Sequence, residues 1–78
     1  MNLIYSSNQA TARIFALSQE LAPGDWKWIK DGRVISEYPR ADIYKLQHWD
    51  ANPRHVDIDA ALERARQKRR LGTLIDYS

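Results

Sequence analysis

Residues 3–29 constrain the fold of this chain more than any other stretch. Leu3, Ile4 and Tyr5 form a short apolar run. Ser6, Ser7 and Asn8 follow, and each can accept a hydrogen bond from a free N–H in a helix's first turn. Ala10, Ile14, Leu17 and Leu21 then recur at spacings of four, three and four, which places them on one helical face. Ala22, Pro23 and Gly24 are expected to stop that helix, since glycine accepts a left-handed turn and proline cannot continue the ladder. Trp26, Lys27, Trp28 and Ile29 read as a strand with both tryptophans on one face. Strand, helix and strand in so short a span make a βαβ unit near minimum length, with parallel strands.

Two readings follow Ile29. Asp31 and Gly32 tolerate the positive φ of a two-residue type I′ turn, which would pair residues 26–30 with 33–37 as an antiparallel hairpin. Alternatively, residues 30–41 connect back to a third parallel strand at 42–46. The hairpin is favoured locally, because Val34 and Ile35 are β-branched and flanked by polar residues. Pro39 breaks the pattern beyond Tyr38. Residues 47–55 read as a polar loop carrying Trp49. A second helix then starts at Asp57 or Asp59, with Ile58, Ala61, Leu62 and Ala65 as its apolar stripe. Gly72 is its expected C-cap, and residues 73–75 return to the sheet as an edge strand or pack as a tail.

Seventy-eight residues mean one domain, residues 1–78, with room for one small core. The expected fold class is α/β or α+β: a three- to four-stranded mixed sheet with two helices packed on one face. Without cysteine, packing alone holds the chain, and a reducing cytoplasm is permitted. No signal peptide and no apolar run of about 20 residues is visible, so the expectation is cytoplasmic with no membrane partner.

Catalytic and ligand motifs are missing. The 6–9 joint carries neither the glycines nor the lysine of a phosphate loop. His48 and His55, even with Asp57, lack the helical spacing or cysteine partner of a metal site. The serines have no nucleophile-elbow context, and helix capping explains Asp57 and Asp59 better than acid–base chemistry. The chain therefore reads as no enzyme, with no cofactor and no metal.

Charge is unevenly placed. Residues 1–50 carry six basic and six acidic side chains, whereas residues 51–78 carry six and four, supplying the whole net charge of +2. Arg64, Arg66, Lys68, Arg69 and Arg70 crowd together without an acid among them. Such a cluster can grip phosphates with release of counterions, or simply offset the helix dipole. Trp49, Tyr38 and Tyr44 fall near polar or loop positions, where aromatic residues anchor interfaces or stack on bases. Tyr38, Trp49, Arg64, Arg66, Arg69 and Arg70 are the candidate partner-binding residues.

Asn8, Gln9 and Ala10 opening a helix, then Asp25-Trp26-Lys27-Trp28-Ile29, then Asp42-Ile43-Tyr44-Lys45-Leu46, resemble small proteins carried by bacteriophages. Some of these resemble a P-loop-type βαβ core stripped of its phosphate loop. Size, lack of cysteine and lack of catalytic motif are similar to phage anti-CRISPR proteins, including those acting on a type I effector. The resemblance implies parallel order among the first strands. It also implies a non-enzymatic inhibitor that docks on a host protein or ribonucleoprotein complex and occludes its DNA-binding surface. DNA mimics of that kind are acidic, and this chain would have only Glu37, Asp42, Asp50, Asp57 and Asp59 for the purpose. An aromatic and arginine interface is the better expectation. The alternative is a nucleic-acid-binding accessory protein working through the basic end of the second helix. The oligomeric expectation is a monomer or a weak homodimer through an exposed edge strand.

Overall fold

A computed structural model describes all 78 residues. The elements run β1 (Asn2–Tyr5), α1 (Gln9–Ser18), β2 (Trp26–Trp28), α2 (Gly32–Glu37), β3 (Asp42–Lys45), α3 (His55–Gln67) and β4 (Leu74–Asp76), with 3₁₀ turns at Pro23–Asp25 and Trp49–Ala51. The strands form one sheet in the order β2-β1-β3-β4, and every pairing is parallel. The small α/β sheet of three or four strands stands, but it is parallel throughout rather than mixed.

Period two along β1 explains the layering. Leu3 and Tyr5 enter one core with Ile29, Val34, Ile35, Ile43, Ile58, Ala61 and Ala65, while Ile4 enters another with Ala12 and Ala16. Hence α2 and α3 cover one face and α1 covers the other, so the helices do not share a single face. A parallel sheet needs both faces covered.

The hairpin expected at Asp31 and Gly32 is instead the start of α2. The Asp31 side chain accepts from the Arg33 N–H at 2.9 Å, capping the helix. Gly32 serves close packing, not a positive φ: a Cβ there would lie 2.9 Å from Ala61 Cβ and 3.0 Å from the Asp57 carbonyl oxygen. Neither Asp57 nor Asp59, the two expected caps, caps α3, which begins at His55: Asp57 accepts from the Gly32 N–H at 2.9 Å and Asp59 from the Tyr5 hydroxyl at 2.8 Å. The loop before α3 is closed by Asn52, whose Oδ1 accepts from the Arg54 N–H.

Both long helices end on left-handed residues that are not glycine. Glu20 and Arg69 take φ of 57° and 55°. Leu21 N–H donates to the Ala16 carbonyl and Arg70 N–H to the Ala65 carbonyl, the wide bond of a Schellman ending. Gly24 and Gly72 therefore do not end these helices. Gly72 lets β4 approach β3: a Cβ there would sit 2.6 Å from the carbonyl oxygens of Arg40 and Ala41. Of the two expectations for residues 73–75, edge strand or packed tail, the edge strand is found, at Leu74–Asp76.

The apolar stripe of α3 is as expected, with Ile58, Ala61 and Ala65 buried. That of α1 is not. Ala12 and Ala16 face the sheet, and Phe15 packs on Tyr44 with centroids 5.3 Å apart. Ile14 and Leu17 remain 67% and 70% exposed. Small residues let α1 lie close on the sheet, and the larger ones turn outward.

Candidate functional site

In doubly wound sheets, ligands bind beyond the carboxyl ends of the strands where the chain's direction of winding reverses. Here that point lies between β1 and β3, and the protein fills it with its own side chains. Tyr5 is fully buried; its hydroxyl donates to Asp59 Oδ1 at 2.8 Å and also approaches the His55 carbonyl at 3.2 Å. Burial first, and the bond to Asp59 second, hold this phenol well above the ordinary tyrosine pKa. It is a fixed neutral donor, unsuited to accept a proton. Trp49 covers it with ring centroids 5.6 Å apart, and Lys45 Nζ stands 3.9 Å from the centroid of the Trp49 ring. Asn52, 1% exposed, donates to the carbonyls of Ser6 and Ile29 at 3.0 and 3.1 Å. It ties the ends of β1 and β2 to the start of α3.

The charged surface lies elsewhere, around α2. Three adjoining grooves run from the C-terminal end of α3 to the edge of the sheet. The first, about 100 Å³ between α2 and α3, is rimmed by Arg64, Lys68 and Arg70. The second shares Ser36 and Arg64 with it and adds Arg33, Arg54, Asp31 and Asp57. The third shares Arg33 and continues along β2 with Arg13, Lys27, Lys30 and Glu37. Eight of the chain's twelve lysines and arginines line this band, against three of its ten carboxylates. One carboxylate, Asp57, is engaged by the Gly32 N–H and by Arg54 at 3.4 Å.

The structure divides the candidate residues. Arg64 and Arg70 join in the first groove. Helical projection separates them, but α3 ends at Gln67, and the left-handed turn at Arg69 brings Arg70 back beside Arg64 and Lys68. Arg66 points away and is held by Glu63, to which its Nη2 and Nε donate at 2.5 and 3.0 Å. That bond holds the Glu63 carboxyl below, and the Arg66 guanidinium above, its ordinary pKa. Arg69 lines none of the three grooves. Tyr38 and Trp49 are half-buried and pack against the core. Lys27 Nζ lies 5.6 Å from the Tyr38 ring centroid.

Sequence reasoning missed Arg13, Lys27, Lys30, Arg33 and Arg54. The first four lie in the half of the chain whose charges sum to zero, so a count along the sequence hides them. Arg33 was further obscured by the turn reading of the two residues before it.

No group of three or more metal-ligating side chains converges anywhere in the fold. No helix is long and apolar enough to cross a membrane. No protein-family model matches the chain, and no curated protein or solved structure matches it either.

Proposed function

We propose that this chain is a non-enzymatic binding protein whose α2–α3 face grips the phosphates of a nucleic acid. The carrying observation is the convergence of Arg33, Arg54, Arg64, Lys68 and Arg70 on two contiguous grooves that hold only two carboxylates. Arginine forks suit phosphate oxygens, and all five side chains are exposed, Arg33 and Arg64 on α2 and α3 and Arg54, Lys68 and Arg70 at the two ends of α3. Each phosphate neutralised releases counterions, so affinity falls with salt. With five contacts, binding between about 50 and 200 mM salt drops by roughly several hundredfold for a short duplex and by roughly a hundredfold for a single strand. Fluorescence anisotropy across that range measures it. The Arg64→Ala/Lys68→Ala/Arg70→Ala variant weakens binding for all sequences alike and flattens the salt slope. An oligonucleotide that fails to bind at low salt, or binds this variant unchanged, rejects the reading.

The second reading is the phage-type inhibitor that docks, in the host cytoplasm, on a nucleic-acid effector complex such as a type I CRISPR effector. The exposed Ile14 and Leu17 on α1 favour it, since paired large apolar side chains on one helix face suit a protein partner. Purified protein added to such an effector lowers its affinity for target DNA, and Ile14→Asp/Leu17→Asp abolishes that effect. Unchanged DNA affinity at saturating protein excludes it.

A further inference from the structure

We infer that the groove along the β2 edge is a seat for an unpaired nucleotide, so that the protein selects single-stranded over duplex nucleic acid. The inference rests on the nucleic-acid reading above and adds to it the form of the ligand.

The groove exists because β2 is an edge strand. Ile29 N–H donates to the Ile4 carbonyl, so by alternation Lys27 and Ile29 turn their backbone groups toward β1. Trp26 and Trp28 turn theirs outward, where no further strand covers them. α1 bounds the open edge on one side and α2 on the other, leaving about 500 Å³. That lies in the roughly 300–1,000 Å³ range of small-ligand sites. Arg13, Lys27, Lys30 and Arg33 surround it, with Glu37 the one carboxylate.

Next to this cationic stretch lies an apolar annex of about 350 Å³, formed by Leu17, Leu21, Pro23 and Trp26. The two spaces share Arg13, Pro23 and Trp26. A flat apolar group on Trp26, with negative charge beside Arg13, Lys27 and Lys30, satisfies both halves, and a nucleotide has that chemistry. Groups of this kind bind single strands in cationic grooves floored by aromatic rings. A duplex keeps its bases stacked inside and offers this groove phosphates alone. A second copy of the chain fits poorly, because pairing two β2 edges sets Lys27 and Lys30 against their own counterparts.

Leu17, turned outward by the close packing of Ala12 and Ala16 on the sheet, walls this annex. The indole of Trp28 is already fixed, its Nε1 donating to the Ser6 carbonyl at 3.3 Å. Trp26 is therefore the stacking residue and Trp28 part of the wall.

The test compares a fluorescein-labelled oligothymidylate, the same strand annealed to its complement, and an abasic strand of equal length, all in low salt. The single strand binds at least roughly fivefold tighter than the other two, the low end of what one stacked base contributes. Its binding quenches tryptophan fluorescence. Trp26→Phe removes most of the quenching and narrows the preference while leaving duplex affinity unchanged. Trp49→Phe keeps the quenching, because Trp49 lies at the far end of the sheet under Lys45. Lys27→Ala/Lys30→Ala, both exposed positions that leave the fold intact, weakens the single strand more than the duplex. Equal affinity for all three ligands overturns this inference and leaves the phosphate reading standing. Undiminished quenching in Trp26→Phe, or competition by an acidic polyglutamate peptide as effective as by oligothymidylate, also overturns it. Absence of all binding overturns both.

Discussion

Single residues decide how the ends of the elements are joined. Asn52 satisfies two buried carbonyls and one N–H with one amide. Asn52→Ala strands the Ile29 carbonyl and the Arg54 N–H and leaves the Ser6 carbonyl to the Trp28 indole alone, and an unsatisfied buried polar group costs about 1–3 kcal/mol. Chemical denaturation should show a loss of at least about 2 kcal/mol. Tyr5 gives the protein an alkaline limit. Its folded pKa lies above the unfolded value of about 10, so its contribution is complete below that pH and is lost as pH rises past it. Stability measured by denaturant titration should fall steeply above pH about 10 in the native protein. In Tyr5→Phe, which starts lower for want of the Asp59 bond, the fall is shallower. A cap for α1 among Ser6, Ser7 and Asn8 was legible, since short polar side chains ahead of a helical pattern have that evident use; the structure uses Asn8, whose Oδ1 accepts from the Thr11 N–H at 2.9 Å. Asn52 was not, because its partners lie far away in sequence.

At the scale of elements, periodicity located α1 and misjudged its orientation. Ala10, Ile14, Leu17 and Leu21 make the larger apolar stripe, yet the sheet takes Ala12 and Ala16. Both faces of the helix are apolar enough to be buried, and approach distance chooses between them: small side chains bring the helix close enough to cover Ile4. Ile14→Ser and Leu17→Ser should each shift stability by no more than about 0.5 kcal/mol. Ala16→Leu forces the helix off the sheet and should cost about 1–3 kcal/mol. Thermal unfolding of the three variants distinguishes the two faces. In α3 no such ambiguity exists: its other faces are strongly charged, so the stripe at Ile58, Ala61 and Ala65 leaves one choice. For α2, a single turn and a half, tertiary packing of Gly32 on Ala61 prevails over the β propensity of Val34 and Ile35.

Across the whole molecule, charge is segregated in space far more than along the chain. Three cations converge on a groove of about 100 Å³ without a carboxylate in its lining. With no carboxylate among them, these cations repel one another. Lys68→Ala/Arg70→Ala should therefore raise the melting temperature at low ionic strength, and the gain should shrink as added salt shortens the screening length to about 3 Å at 1 M. Calorimetry at two salt concentrations reads the difference. A gain that is independent of salt contradicts the electrostatic origin.

Local chemistry alone determined that this chain makes a βαβ start and a charged amphipathic C-terminal helix. Each depends on neighbours a few residues apart, and side-chain period, caps and proline act at that range. The parallel direction of β3, the face of α1, and the gathering of Arg13, Lys27, Lys30, Arg33 and Arg54 with the basic end of α3 were decided only by tertiary structure. Those features depend on which surfaces can approach within a few ångströms, and the chain brings such surfaces together from positions whose sequence separation carries no trace of their contact.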